Sequence, residues 1–197
     1  MDGHASPRNA PLPGWVPRLP ISVDDYYRMA EAGMFPHERR VELIEGELIA
    51  MSPMGVRDAH RIMRINHLLV PALGDRAVLA PQVTARMGDF SAPEPDFMLV
   101  RPSYLQDAKS VPQPGDMLLV IEVSDSTLRY DRTVKARRYA RHGVPEYWIV
   151  DVRDNAVIVH REPKDETYAV VRQAAPGDVL EPALLPGLRV AVADILA

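Results

Sequence analysis

The stretch that most constrains this chain is Met117-Leu118-Leu119-Val120-Ile121-Glu122-Val123. It is nearly all apolar, and it reads as a central strand buried on both faces. Glu122 interrupts the run. An ionised carboxylate at such a depth costs several kcal/mol unless it is paired or binds a metal. Two readings stand on this segment alone: a strand-end glutamate that faces solvent or meets an arginine, and a buried acid with a chemical task.

The rest of the chain supplies partners for that strand. Phe97-Met98-Leu99-Val100 is a second strong strand and follows Pro95-Asp96 directly. Tyr147 to Val150, Val157 to Val159 and Tyr168 to Val171 are further strands. Val78 to Arg86 alternates loosely, and Pro81 places it at an edge or a bulge. Val41-Glu42-Leu43-Ile44 and Glu47-Leu48-Ile49-Ala50 flank Glu45-Gly46, the pattern of a hairpin. A short helix follows Ser22, with Asp25 three residues on, and ends near Gly33. Residues 58–70 carry Ile62, Ile65, Leu68 and Leu69 at helical spacing, with Asp58 as a cap and Pro71 as an end or kink. A basic helix spans roughly 131–142 and stops at Gly143, and a short one lies near Val192 to Leu196. Strands and helices are mixed rather than strictly alternating. The expected fold class is therefore α/β of the α+β type, a mixed central β-sheet flanked by helices with an N-terminal β-hairpin.

Residues 1–20 hold Pro7, Pro11, Pro13, Pro17 and Pro20 and read as an extended, disordered arm. Residues 21–197 read as one domain, a size that buries a core without staples. The chain has no cysteine, which removes disulfides, thiolate zinc sites and a cysteine nucleophile, and fits the cytoplasm. No stretch approaches the roughly 18 apolar residues of a membrane span, so no membrane partner is expected. The formal net charge is -4, so any contact with nucleic acid has to come from a local patch.

One such patch is legible. Six Lys or Arg residues fall between Arg129 and Arg141, against the single acid Asp131. Asp131, Lys135 and Tyr139 repeat at i, i+4 and i+8 and share a helix face. Taken singly, the arginines read as a solvated surface. Lys135 reads differently, because the helix begins just past Glu122 and its face can pack over the end of that strand. An ammonium there can stabilise charge on a phosphate or orient an attacking water. Asp96 is a common turn residue by itself. Beside Glu122 it gains a second reading, since adjacent strands lie about 4.8 Å apart and two carboxylates at matched depth can share one hard cation.

The order of the motifs adds to this. Val41-Glu42-Leu43-Ile44-Glu45-Gly46-Glu47, Met51-Ser52-Pro53, His60 on a helix, Pro95-Asp96, Ile121-Glu122-Val123-Ser124, Ser126-Thr127, Asp131, Lys135, Tyr139, Gly143 to Trp148 and Leu185-Pro186-Gly187-Leu188 follow one another. Together they strongly resemble the bacterial Uma-two family of restriction endonuclease-like proteins, within the PD-(D/E)XK nuclease superfamily, over roughly residues 22–196. The resemblance implies a restriction-endonuclease-like core and an endonuclease that hydrolyses phosphodiester bonds of DNA with Mg2+, or with Mn2+ as a substitute. Asp96 matches the aspartate of the superfamily's PD motif, and Glu122 its acid on the next strand. The superfamily pattern puts a lysine two residues later, where this chain has Ser124; Lys135 on the following helix is the match. Glu42 and His60 match recurrent family positions; Glu42 reads as an additional metal-shell acid or as a hairpin-surface acid, and His60 as a proton carrier or phosphate contact or as a histidine of the helix's capping turn.

The expectations are therefore Asp96, Glu122, Lys135 and His60 as catalytic residues, with Asp96, Glu122 and Glu42 around the metal. DNA is the expected partner through the basic helix, with a two-fold homodimer to cut both strands. The alternatives are a catalytically silent nucleic-acid-binding or regulatory module on the same fold, and a phosphohydrolase of small substrates. There is no Gly-rich phosphate loop, Gly-x-Ser-x-Gly elbow or His-Glu-x-x-His in the chain.

Overall fold

The computed structural model describes residues 16–35, 40–51, 53–106 and 111–197. Residues 1–15 of the proline-rich arm, and Ser52 of the Met-Ser-Pro motif, lie outside the described residues. Helix α1 (Val23–Glu31) starts as its sequence dictates: Ser22 accepts from the Asp25 N–H at 3.0 Å and donates its hydroxyl to the Asp25 carboxylate at 2.6 Å. Strands β1 (Val41–Ile44) and β2 (Glu47–Ala50) form the antiparallel hairpin. Its turn puts both Glu45 and Gly46 at positive φ, 51° and 78°, the geometry whose twist matches that of the flanking strands.

Helix α2 (Val56–Leu73) is longer than its periodicity suggests, and two details correct the sequence reading. Gly55, not Asp58, is the N-cap; Asp58 sits at the third helical position and accepts from the Gly55 N–H at 3.3 Å. Pro71 does not end the helix, which runs on to Leu73. Pro71 and His67, the residue whose carbonyl loses its partner, are both exposed, so water can satisfy that carbonyl, while Leu69 and Leu73 are buried.

The main sheet has six strands in the order β3-β4-β5-β6-β7-β8. They are β3 (Val78–Pro81), β4 (Phe97–Val100), β5 (Met117–Ser124), β6 (Glu146–Asp151), β7 (Ala156–Lys164) and β8 (Thr167–Ala174). The strand expected over Val78 to Arg86 stops at Pro81 and lies at the sheet edge, where a residue without an N–H is tolerated. All neighbours are antiparallel except β5 and β6. A parallel pair needs a crossover connection. Here it is α3 (Leu128–Tyr130), a π turn (Asp131–Lys135) and α4 (Ala136–Arg141), which together form the expected basic helix. Gly143 follows at φ 74°, a conformation that suits glycine beyond a helix end. A two-stranded ribbon, β9 (Val179–Leu180) with β10 (Val190–Ala191), precedes α5 (Val192–Leu196).

The sheet divides two cores. On one face Ile65, Leu69 and Leu73 of α2 and Ile195 and Leu196 of α5 pack on Ile121, Val123, Trp148 and Val150. On the other, Ala136, Tyr139 and Ala140 of α4 pack on Val120, Tyr147, Ile149 and Ile158. β5 is buried along its whole length, as its composition requires. Among the described residues, no helix is long and apolar enough to cross a membrane.

Candidate active site

The alternation of β5 decides where Glu122 points. Ile121 and Val123 belong to the core under α2, and Val120 to the core under α4. Glu122 therefore projects toward α4 and is only 4% exposed. Its Oε1 accepts from Lys135 Nζ at 2.8 Å and from the Tyr139 hydroxyl at 2.9 Å. Glu122 is thus buried, and its charged partner is a lysine rather than an arginine.

Asp96 immediately precedes β4. The register pairs Phe97 with Ile121, so Asp96 stands one step further along, opposite Glu122. Its Oδ2 accepts from the Val123 N–H at 2.8 Å, which ties the carboxylate to the same end of β5. Glu42 arrives from the hairpin, on β1, and is buried. Its Oε2 lies 3.8 Å from Lys135 Nζ and accepts from the Glu94 N–H at 3.4 Å, and its Oε1 accepts from the Tyr130 hydroxyl at 3.4 Å. Asp131, also buried, accepts the hydroxyl protons of Ser124 and Thr127 on Oδ2, and its Oδ1 is 4.0 Å from Lys135 Nζ. Lys135 is thus a buried ammonium facing Glu122, Glu42 and Asp131.

These groups line a cleft of about 140 Å³, together with Asp96, Asp58, Asp125 and Tyr130. Met51, Pro53, Met54 and Ile62 form an apolar part of its wall, and Arg40, paired with Glu94, a basic one. Its electrostatics follow from burial with too few cations. Desolvation pushes the Glu122 carboxyl up to about 8; the Lys135 ammonium opposes the shift, and the Asp96 and Asp131 carboxylates add to it. Asp96 is likewise raised by desolvation, against the Val123 N–H and Lys135. Burial alone would lower Lys135, but the Glu122, Glu42 and Asp131 carboxylates outweigh it and hold the ammonium above its ordinary value. Burial, and then the Glu122 carboxylate, keep the Tyr139 phenol protonated as a donor.

A site with this excess of negative charge suits a hard cation. The donors are all carboxylate oxygens, and Mg2+ takes one or two of them and keeps waters for the rest. Among the described residues no group of three or more His, Asp or Glu side chains is gathered closely enough to hold an ion. What the described residues offer is the Asp96 and Glu122 pair, with Glu42 3.8 Å from Lys135 in the same cleft.

Asp96, Glu122, Lys135 and Glu42 are brought together; His60 is not. It is exposed on α2 and lines a separate surface hollow with Arg57 and Arg61. Much of the basic helix is already paired: Arg137 with Glu166, Arg138 with Glu45, and Arg141 with both. Arg129 and Arg132 are exposed. The sequence reading assigned no role to Tyr139 or Tyr130, although the spacing of Asp131, Lys135 and Tyr139 placed Tyr139 on the face that meets Glu122. Arg40 and Glu94 carry no local signal, because only the hairpin's docking brings them to the cleft.

Comparisons with known proteins agree with this architecture. The family model Uma2, described as "Putative restriction endonuclease", matches residues 23–193. A crystal structure from Anabaena variabilis, titled as a putative nuclease belonging to DUF820, superimposes with a TM-score of 0.63 at 18% identity, covering 90% of this chain and 98% of that one. At that identity the likeness speaks for the fold. Among curated proteins no match is found.

Proposed function

Since the chain belongs to the Uma2 family of restriction-endonuclease-like proteins, we propose that it is an endonuclease that hydrolyses phosphodiester bonds of DNA with a divalent metal ion, Mg2+ or Mn2+ in its place. The observation that carries the reading is the Lys135 ammonium, 2.8 Å from Glu122 in a cleft that Asp96 also lines. Asp96 and Glu122 would hold the ion, and Glu42 adds negative charge beside Lys135. When bound, such an ion polarises a phosphodiester and eases deprotonation of a water.

The protein's own groups do the rest. Lys135 is held charged, so it serves as a fixed positive charge for a phosphate oxygen or for orienting the attacking water, and not as a base. Tyr139 fixes the rotamer of Glu122 through Oε1. Arg129 and Arg132 offer exposed charge to the DNA backbone, as Arg57 does on α2, where His60 and Arg61 line the same hollow. Two copies about a two-fold axis would place one site on each strand.

The test is DNA cleavage with Mg2+ or Mn2+ and with chelator, for the wild type and the Asp96→Ala, Glu122→Ala and Lys135→Ala variants. Cleavage that needs the metal and falls by about 100-fold or more in each variant supports the reading. Metal-dependent cleavage that survives both carboxylate changes would sink it. DNA binding without cleavage under either ion would instead favour a silent binding module.

A further inference from the structure

The position where the superfamily pattern carries lysine is Ser124, and its side chain is not idle. Ser124 is fully buried, and its hydroxyl donates to Asp131 Oδ2, which also accepts from Thr127 Oγ1 at 2.7 Å. Asp131 Oδ1 faces Lys135 Nζ at 4.0 Å, on the side away from the two hydroxyls. Asp131 also opens the π turn: its carbonyl accepts from the Ala136 N–H five residues on and from the Tyr147 hydroxyl at 3.3 Å. A π turn is rare, and single turns of it within α-helices cluster at functional sites. The turn spans Asp131 to Lys135, the two residues whose side chains meet.

We propose that Asp131, clamped by Ser124 and Thr127, is the positioning residue of this site, holding the Lys135 ammonium against Glu122 Oε1. Lys135 has four side-chain torsions to fix before its ammonium stands at Glu122. Two hydroxyls satisfy one oxygen of Asp131 and fix its plane. Its second oxygen then faces the same ammonium that Glu122 Oε1 accepts from. Ser124 thereby does indirectly, through Asp131, what a strand lysine would do directly. In this role Asp131 acts through Lys135, whose ammonium its Oδ1 faces. The inference rests on the nuclease reading only for its kinetic consequence.

The chain's composition makes the test clean, because Lys109, Lys135 and Lys164 are its only lysines. Reductive methylation of the folded protein, read by peptide mass, reports how accessible each ammonium is. Lys135 should resist in the wild type and react at least about 10-fold faster in Asp131→Asn, a change of 1.4 kcal/mol or more in its protection. Ser124→Ala, which keeps the Asp131 charge and removes one hydrogen bond, should give a smaller increase and covers the case in which Asp131→Asn fails to fold.

In the cleavage assay Asp131→Asn should lower kcat by about 100-fold with little change in KM. In a Lys135→Met background it should cost less than about threefold more, because the group it positions is gone. Equal losses in both backgrounds, or Lys135 still protected in Asp131→Asn and Ser124→Ala, would overturn the proposal. A wild type that cuts nothing overturns the nuclease reading, while protection of Lys135 that is lost in these variants still upholds the positioning role.

Discussion

Lys135 Nζ meets Glu122 Oε1 at 2.8 Å, although the two lie on different elements and the intervening chain must leave the sheet and wind through a π turn before they touch. Both side chains are buried. Lys135 also faces the buried Glu42 and Asp131 carboxylates, and removing it leaves them without their counter-ion, which costs roughly 3–5 kcal/mol. Lys135→Met should therefore lower the unfolding free energy of metal-free protein by about 3 kcal/mol, measured by urea denaturation. Because Lys135 is the buried cation that faces these carboxylates, millimolar Mg2+ or Mn2+ should restore more stability to Lys135→Met than it adds to the wild type.

Burial raises the Glu122 carboxyl from 4.5 to about 8. A group whose folded value lies above its unfolded one contributes stability that is complete below the unfolded value and is lost as pH rises through the folded one. Without metal, the wild type should then lose stability progressively between about pH 5 and pH 8.5. Glu122→Gln, which cannot ionise, should flatten most of that slope. Thermal melts in chelator across this range check the prediction, and a wild-type slope that persists unchanged in Glu122→Gln would refute it.

Asp96 carries two tasks that separate by substitution. Its Oδ2 accepts from the Val123 N–H at 2.8 Å, and the same carboxylate supplies half of the proposed ion pocket. Asp96→Asn keeps an amide oxygen for Val123 but no charge for a metal. Asp96→Ala loses both and leaves a buried N–H unpaired, at a cost of about 1–3 kcal/mol. Both should abolish cleavage, and only Asp96→Ala should unfold more easily. Equal destabilisation by the two would mean that the backbone bond is not what Asp96 contributes to the fold.

The sequence made the architecture legible where periodicity and burial coincide. The run Met117 to Val123 could only be a central strand, and the positive-φ pair Glu45-Gly46 was announced by a turn signal between two apolar runs. Glu122 stood out because the physics of a buried charge demands an explanation. What stayed hidden depends on tertiary placement. Pro71 inside α2 reads as an end or a kink until its solvent-facing position is known. The β9–β10 ribbon is too short to show a period. The hydroxyls of Ser124 and Thr127 carry no local signal, and only the fold aims them at Asp131. His60 carried a family-level signal, yet α2 turns it away from the cleft that holds the carboxylates.

That placement of His60 yields the last prediction. His60 is exposed and shares a hollow with Arg57 and Arg61, outside the residues lining the carboxylate cleft. A proton carrier must come within hydrogen-bond reach of the reacting group, directly or through one water. A phosphate contact has no such requirement, because it can act on the DNA backbone some distance from the scissile bond. His60→Ala should accordingly raise KM for DNA several-fold while leaving kcat within about twofold, and the KM effect should shrink as salt is raised, because phosphate contacts weaken with counterion concentration. Steady-state kinetics at two salt concentrations separate the cases. A fall in kcat at unchanged KM would place His60 in the chemistry and require α2 to reorient when substrate binds.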